Sequence, residues 1–205
     1  FRQYKDIKQK KTAFFEFLLP HIKQTNLEIK KKRAYLLQIA PSELKQQQKN
    51  LIAMARYYRV DYKNQSLARV HRDLLKKIDV IPPSLALAQA ANESAWGTSR
   101  FARQASNYFG QWCLTKGCGL VPRHRQVGKV HEVRKFNSAY ESVKSYIHHL
   151  NAQPSYVMLR EIRSQKRQLN QPVGGLDLVV GLEQYSARKQ AYVIELAKMI
   201  RVNKL

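Results

Sequence analysis

The chain contains 205 residues, of which 44% are hydrophobic and 25% charged, an ordinary composition for a soluble globular protein. That length allows one sizeable core and a second, small helical region, and no apolar run approaches the roughly 18–20 residues needed to span a bilayer. The 37 Lys and Arg residues against 14 Asp and Glu residues give a formal charge of +23, which attracts polyanions such as nucleic acid, anionic lipid or an acidic envelope polymer. The alternative is that these basic residues only solvate helix faces, because they lie in separate segments.

Three helical segments are predicted in the N-terminal part of the sequence. Residues 5–38 have the pattern of one long helix, which Pro20 is expected to kink or divide. A second helix is predicted within residues 40–60, with Ser42 as its N-cap. A third is predicted over residues 66–78, where apolar side chains recur at helical spacing.

The next segment, PSLALAQAANESAWGTSRFARQASNYFG, contains one carboxylate in an otherwise small and apolar helix. The two prolines before Ser84 mark a new helix over residues 84–96, which places Glu93 in its last turn. The face around Glu93 is nearly free of bulk, since it carries Ala86, Gln89 and Ala90. A ligand or another chain could therefore approach this carboxylate closely.

The surroundings of Glu93 are expected to favour its protonated form. The helix dipole disfavours a negative charge at this end of the helix, and Trp96 would lower the local polarity if it packs close. Both effects raise a carboxyl pKa, as a general acid near neutral pH requires. The alternatives are an exposed glutamate paired with Arg100 or Arg103, or a buried one that is hydrogen-bonded to a loop.

Two cysteines, Cys113 and Cys118, follow in WCLTKGCG, with glycines that allow a tight loop. A local disulfide is sterically allowed and would imply an oxidising compartment, and two free thiols are the alternative. No Cys or His stands at zinc-finger spacing, so neither a metal ion nor a cofactor is predicted. The chain begins with Phe1 rather than Met, which is compatible with a processed form, and the lack of a targeting segment carries no information about compartment.

Alternating residues within 111–136 predict a β-hairpin that turns at Gln126, Val127 and Gly128. Helical patterns resume after it, over residues 138–152, 156–169 and 175–202. Ser138 and Glu141 are expected to form a capping box, and the last segment to break near Tyr185. The residues thus predict a mostly α chain with one small β insertion after the Glu93 helix.

The run AQAANESAWGTSRFARQASNYFG resembles the signature of the bacterial glucosaminidase family (glycoside hydrolase family 73), with glutamate, tryptophan, two glycines, asparagine and phenylalanine in order. The resemblance covers roughly residues 80–202, and within the family the whole chain is most similar to the Bax-type proteins of Gram-negative bacteria. It implies a lysozyme-like fold of the mainly α (α+β) class, in which a β-hairpin lobe faces the acid across a groove. We therefore expect an N-terminal helical region over residues 1–80 and a lysozyme-like glucosaminidase domain over residues 81–205.

Carried over residue by residue, the resemblance makes Glu93 the general acid that protonates the glycosidic oxygen. Trp96 and Phe109 would shape the core and the substrate site around it, and Asn107 would fix the loop or hold a substrate group. Gly97 and Gly110 would permit the backbone turns.

Two tyrosines match a recurring position of the family. Tyr185, at the helix break, would point its hydroxyl into the groove to stabilise the sugar or the developing cation. Tyr192, in mid-helix, would contribute to the core and to substrate binding.

The second catalytic group is less evident. Glycoside hydrolysis usually pairs the acid with a nucleophile at about 5 Å or with a base at about 6.5–9.5 Å. Family members often carry a glutamate on the first hairpin strand, but here that strand has no acid, and Glu132 on the returning strand is the candidate base or water-positioning group. Glu132 could instead pair with Arg134, in which case the 2-acetamido oxygen of the substrate could attack. His124 and His131 of the hairpin would line the groove.

These features predict a periplasmic or cell-envelope enzyme that hydrolyses the β-1,4 bond after N-acetylglucosamine in peptidoglycan, with the glycan strands as its partner. A noncatalytic cell-wall-binding or scaffolding protein on the same fold is the second hypothesis. A nucleic-acid-binding helical protein is the third, but only the net charge supports it and no nucleic acid is expected as partner. The N-terminal helices could pack on the lobe, extend the groove or dock an envelope protein.

Overall fold

The computed structural model describes residues 1–123 and 125–205, so the predicted role of His124 lies outside the described residues. Within this part of the chain the α-helices are α1 (Ile7–Gln38), α2 (Gln48–Tyr58), α3 (Leu67–Lys77), α4 (Pro83–Ser94), α5 (Arg100–Ala105), α6 (Ala139–Ala152), α7 (Val157–Gln168), α8 (Gly175–Leu178) and α9 (Gln190–Val202). Short 3-10 helices occur at Pro41–Glu43, Pro154–Tyr156 and Val179–Tyr185. The strands are β1 (Trp112–Cys113), β2 (Gly119–Leu120) and β3 (Glu132–Arg134). The prediction of a mainly α chain with a small β lobe is confirmed.

Helix α1 runs without interruption through Pro20, so the predicted division at this proline is wrong. Both Pro20 and Glu16, whose carbonyl loses its helical partner, lie on the exposed side, where water can satisfy the free oxygen. The opposite side carries a continuous buried stripe that packs the helix against the core on both sides of the proline, formed by Phe14, Leu18, Ile22, Ile29 and Leu36. No described helix, α1 included, is apolar enough over a sufficient length to cross a bilayer.

The helix ends agree only in part with the predicted caps. Ser42 lies inside the 3-10 turn and does not cap α2, because the side chain of Glu43 accepts the backbone N–H of Ala40 and closes that turn first. Ser138 caps α6 as predicted, but Glu141 accepts the N–H of Asn137 instead of completing a capping box. In both places a glutamate accepts a free backbone N–H group that lies three or four residues before it.

Helix α4 lies at the centre of the molecule, and most of its residues are buried. α1, α8 and α9 pack against it, and α1 also packs along α6. A helix that is surrounded in this way can be apolar all round, which explains its small and apolar composition. Residues from both sides of the predicted boundary at residue 80 share this core, and the boundary itself stays a prediction.

The β lobe is a three-stranded antiparallel sheet in the order β1-β3-β2. The predicted hairpin is right in its turn, where the N–H of Lys129 donates to the carbonyl of Gln126, and in the pairing of Leu120 with Val133. It is wrong in its extent, because β2 ends at Leu120 and the described residues on either side of the turn belong to no strand before Glu132. Strand β1, which pairs Trp112 with Val133 on the other edge of β3, was not predicted.

A disulfide joins Cys113 at the end of β1 to Cys118 just before β2, as predicted. The carboxylate of Glu132 lies near both sulfur atoms, and ligand atoms of the three residues fall within 4.8 Å of one another. Because the two sulfurs are bonded to each other, they offer no thiolates to a metal ion.

A buried ion cluster ties α1 to the C-terminal half of the chain. Asp79, which is 2% exposed, receives two hydrogen bonds from Arg167 at 3.0 and 3.2 Å. Arg33 of α1 and Arg163 of α7 lie 3.8 and 3.9 Å from the same carboxylate. Arg163 is 1% exposed and also donates to backbone carbonyls, including those of Asp79 and Lys76. The cluster therefore fixes three segments that are distant in sequence.

Candidate active site

Helix α4 ends in a compact turn that presents Glu93. The helix stops at Ser94, and Ala95, Trp96 and Gly97 then adopt left-handed backbone angles, with φ of 50°, 58° and 73°. The hydroxyl of Ser94 donates to the carbonyl of Ala90 at 2.6 Å and accepts the N–H of Gly97 at 2.8 Å. It therefore connects the turn to the helix through two hydrogen bonds. Glu93 accordingly occupies the last helical turn, as predicted.

The carboxyl group of Glu93 is half-buried, and its two oxygens have different neighbours. Oε1 accepts a hydrogen bond of 2.8 Å from the hydroxyl of Tyr192. Oε2 faces Gly110, where a Cβ atom would lie only 3.2 Å from it and where φ of +65° also favours glycine. In the described part of the chain Glu93 forms no ion pair with Arg100 or Arg103, the two predicted alternative partners, and Arg100 donates to the carbonyl of Val121.

Burial raises the pKa of Glu93, and this effect outweighs the hydrogen bonds from Tyr192 and Asn92 and the charge of Arg188, which lower it. The predicted direction is therefore confirmed, and burial is its largest cause. Trp96 packs against α1, with ring centroids 5.8 and 5.4 Å from Phe14 and Phe15. Its role in substrate binding stays a prediction.

Behind Glu93 lies a buried chain of hydrogen bonds that sequence reasoning missed. Tyr146 donates to the side-chain oxygen of Gln89, and the amide of Gln89 donates to the hydroxyl oxygen of Tyr192 at 2.9 Å. Because Tyr192 accepts from Gln89, its own proton is free to point at Glu93. The signal in the sequence was Gln89 itself, an uncharged polar residue on the apolar face that carries Glu93.

The two predicted tyrosines lie side by side, but they have different functions in the structure. Their rings are parallel with centroids 5.8 Å apart. The hydroxyl of Tyr185, which we expected in the groove, donates to the backbone carbonyl of Phe109 at 2.8 Å. The hydroxyl of Tyr192, which we expected in the core, is the one that reaches Glu93. Their roles in catalysis and substrate binding stay predictions.

We expect Tyr192→Phe to move the high-pH limb of the activity profile to higher pH. The hydroxyl stabilises the ionised form of Glu93, so its removal raises the pKa of the carboxyl further and keeps the acid protonated over a wider range. The buried amide of Gln89 also loses its acceptor, which should reduce the free energy of unfolding by about 1–3 kcal/mol. The profile of kcat/KM against pH, together with urea unfolding, measures both effects.

The matched control for this prediction is Tyr146→Phe, which removes a hydroxyl from the same chain without touching Glu93. It should reduce stability and leave the high-pH limb in place. A profile that shifts equally in both variants would show that the shift comes from disruption of the hydrogen-bonded chain as a whole and not from the loss of the bond between Tyr192 and Glu93.

Asn107 and Phe109 build the loop that carries Gly110. The amide of Asn107 donates to the carbonyls of Gln111 and Arg134 at 2.9 and 2.8 Å, and its oxygen accepts the N–H groups of Phe109 and Gln111. Phe109 is buried and stacks on Tyr146 with centroids 3.9 Å apart. Asn107 thus fixes the loop, one of its two predicted roles, and a contact of either residue with substrate stays a prediction.

Glu132 is 5% exposed, and both of its oxygens are occupied. Oε1 accepts the N–H of Gly117 at 3.0 Å, and Oε2 accepts that of Gly119 at 2.8 Å. These two backbone hydrogen bonds lower the pKa of Glu132. The alternative pairing with Arg134 is wrong, because that side chain is exposed and lies over the ring of Phe136. A catalytic role of Glu132 stays a prediction, although its carboxylate already holds the disulfide loop.

His131, the remaining predicted substrate-binding residue, lies on the β lobe immediately before β3. Its imidazole stacks on the indole of Trp112, with centroids 4.1 Å apart and planes 19° apart. Sequence reasoning had assigned no role to Trp112. A contact of His131 with substrate stays a prediction.

A carboxyl group with a raised pKa at the end of a central helix, with a tyrosine donor on one oxygen and a glycine beside the other, has the features of a general acid. The fold and the site therefore define a class of mainly helical proteins with a small β lobe and a candidate general acid at the end of the central helix. Comparison with known proteins makes this class specific.

Residues 68–205 match the model of the glucosaminidase family, described as mannosyl-glycoprotein endo-β-N-acetylglucosaminidase. The chain is also 32% identical over 197 residues to the protein named bax of Escherichia coli K12, and the match covers 93% of this chain and 69% of that protein. The chain belongs to the glucosaminidase family, and its predicted similarity to the Bax-type proteins is confirmed. No solved structure matches it.

Proposed function

We propose that the protein is a peptidoglycan hydrolase, an endo-β-N-acetylglucosaminidase that cleaves the β-1,4 bond after N-acetylglucosamine. The observation that carries this proposal is the half-buried Glu93 with its raised pKa, in a chain of the glucosaminidase family. A raised pKa lets a carboxyl keep its proton to higher pH than an ordinary glutamate, and that proton can be donated to the glycosidic oxygen as the bond breaks. The high positive charge of the chain would favour binding to a polymer whose stem peptides carry carboxylates.

Glu132 is poorly suited to be the base in this reaction. Two backbone N–H groups occupy its oxygens and lower its pKa, and a carboxylate in that state accepts a proton from water less readily. We therefore propose that the 2-acetamido oxygen of the substrate attacks the anomeric carbon while Glu93 protonates the leaving oxygen. Water then opens the cyclic intermediate at the anomeric carbon and returns a proton to Glu93.

Tyr192 is the positioning residue in this scheme. It holds one oxygen of Glu93 through its hydroxyl, and the chain from Gln89 fixes the direction of that hydrogen bond. The other oxygen lies beside Gly110, and a residue with a side chain at this position would cover that oxygen. The acid can then present a proton to a sugar oxygen without rearrangement.

The disulfide between Cys113 and Cys118 supports a periplasmic or envelope location, since such bonds persist in oxidising compartments. An envelope protein that docks on the N-terminal helices stays part of this proposal. No described contact bears on that partner.

Digestion of purified sacculi tests the proposed reaction. Soluble fragments should appear, and borohydride reduction followed by mass spectrometry should show that their new reducing ends are N-acetylglucosamine. Proton NMR of the first product should show the retained β anomer, because two successive displacements at one carbon restore its configuration.

Three outcomes would contradict the proposal. Reducing ends of N-acetylmuramic acid would make the protein a different glycosidase, and an initial α anomer would favour water activated by Glu132. Sedimentation with sacculi without any product would identify the second candidate, a noncatalytic wall-binding protein. The occupied carboxylate of Glu132 would then explain why no cleavage occurs.

A further inference from the structure

The chain contains two tryptophans, and they occupy opposite kinds of surroundings. Trp96 packs on the aromatic side chains of α1. Trp112, the first residue of β1, is 64% exposed. Leaving so large an apolar ring in water forgoes the free energy that its burial would provide. An exposed ring that is nevertheless held in one orientation therefore points to a ligand.

The orientation of Trp112 is fixed from two directions. One face of the indole is covered by the imidazole of His131, 4.1 Å away and nearly parallel to it. The backbone is held because Gln111, the preceding residue, bonds Asn107 through its N–H and its carbonyl and bonds Ser145 through its side chain at 3.1 Å. Since successive side chains of a strand point to opposite faces, Gln111 points inward and Trp112 outward.

The backbone of Trp112 lies close to the residue that faces the candidate acid. Gly110 faces Oε2 of Glu93, and Trp112 follows it after a single residue. Two residues of extended chain span at most about 7 Å, so the backbone of Trp112 lies within that distance of Gly110. The ring is thus within reach of a glycan whose scissile bond lies at Glu93.

We infer that Trp112, backed by His131, is a stacking platform for one pyranose ring of a β-1,4-linked N-acetylated amino-sugar chain. This inference rests on the proposed function and extends it to a binding site on the β lobe. Such sugars present a flat face of C–H groups, which packs on the open face of an indole. The platform would hold the chain in register while Glu93 acts on the neighbouring linkage.

An anionic membrane surface is the competing ligand. Leu114, Val127 and Val130 are also exposed, and lysines lie among them, as in segments that bind lipid interfaces. Two observations favour the sugar. The indole lies flat against His131 on a paired strand, where it cannot insert freely into a bilayer, and its backbone lies two residues from Gly110, which faces the candidate acid.

Fluorescence can test the platform directly, because Trp96→Phe leaves Trp112 as the one tryptophan in the chain. We would combine this change with Glu93→Gln, so that the ligand is not consumed, and titrate the β-1,4-linked pentamer of N-acetylglucosamine. The emission should change and saturate. In the Glu93→Gln background with Trp96 intact, calorimetry should show that Trp112→Ala weakens binding about tenfold, and that Trp112→Phe retains part of the affinity.

Leu114→Ala provides the matched control, since Leu114 is 73% exposed and lies two residues from the platform. It should leave the affinity for the pentamer unchanged, and circular dichroism should show that every variant is folded. His131→Ala should weaken binding less than Trp112→Ala, because it removes the backing and leaves the ring.

Equal affinity of Trp112→Ala and its parent for the pentamer would overturn the inference. So would a response of Trp112 to phosphatidylglycerol vesicles with none to the pentamer, which would assign the ring to lipid. Failure of the proposed function gives a different result. If the protein binds the pentamer through Trp112 but releases no fragments from sacculi, the platform is supported and the hydrolase activity is refuted.

Discussion

Replacing Glu93 with Gln is expected to reduce the rate of glycan cleavage by about 10²–10⁴-fold while the protein still binds sacculi. Positioned acid–base groups contribute about that factor, and the amide of glutamine has the shape of a protonated carboxyl but no acidic proton to give. The hydrogen bond from Tyr192 can still form, because the amide oxygen accepts as Oε1 does. Release of soluble fragments measures the rate, and sedimentation measures binding.

The same variant should be more stable than the parent at neutral pH. The pKa of Glu93 is raised in the folded state, so the parent has its full stability below the ordinary glutamate value of 4.5 and loses part of it as the pH rises through the raised pKa. Glutamine does not ionise and escapes this loss. Melting temperatures of the two proteins should therefore agree near pH 4 and separate as the pH increases, with the variant higher.

A matched control is Glu161→Gln, the same chemical change at an exposed glutamate of α7. Neither the cleavage rate nor the pH dependence of its melting temperature should differ from those of the parent. Undiminished cleavage by Glu93→Gln would remove the assigned acid. A variant that is inactive but melts below the parent at all pH values would mean that the loss of activity is structural.

The position of the acid could be predicted from the sequence, whereas the arrangement of its partners could not. Glu93 stands alone in a helix of small residues, and such a pattern is local. Tyr185 and Tyr192 are seven residues apart, and one continuous helix would place them on the same face. The chain breaks after Tyr185, as predicted, between a 3-10 helix and α9, with Lys189 at φ of 50°, and the phase of the second helix relative to the first depends on packing.

The β lobe shows a second limit of prediction from sequence. Strands β1 and β2 are two residues long, which is too short for an alternating pattern to be recognised. Their positions are set by contacts that are not local: the disulfide, the two hydrogen bonds of Glu132 and the amide of Asn107. Trp112 consequently gave no signal in the sequence, although it becomes prominent once the sheet is formed.

The attachment of α1 was one of three alternatives that the sequence left open, and the buried carboxylate of Asp79 shows why it packs on the rest of the chain. Nothing in the pattern around Asp79 indicated burial. Its partners come from α1 and α7, which are separated by more than a hundred residues of chain. A cluster of this kind is defined by tertiary structure alone.

Replacing Asp79 with Asn is expected to lower the free energy of unfolding by about 3–5 kcal/mol, because it leaves buried guanidinium groups without a counter-charge. Arg163 is the most affected, since burial already lowers its pKa to about 10 and the charge of Asp79 works against that shift. Burial acts to raise the pKa of Asp79, but the hydrogen bond from Arg167 and the charges of Arg163 and Arg33 outweigh it, and the pKa lies below the usual value. Urea unfolding followed by circular dichroism measures the loss.

The pH dependence of this loss identifies its electrostatic origin. With a depressed pKa in the folded state, Asp79 contributes stability above the ordinary aspartate value of 3.8 and loses it as the pH falls through the depressed pKa. The difference between parent and variant should therefore be full at pH 7 and shrink below pH 3.8. Asp73→Asn, which breaks the exposed pair with Arg69 on α3, should cost less than about 1 kcal/mol. Equal losses in the two variants would mean that the Asp79 cluster contributes no more than an exposed ion pair, and that other contacts of α1, such as the hydrogen bonds between Asn26 and Ile81, hold this helix in place.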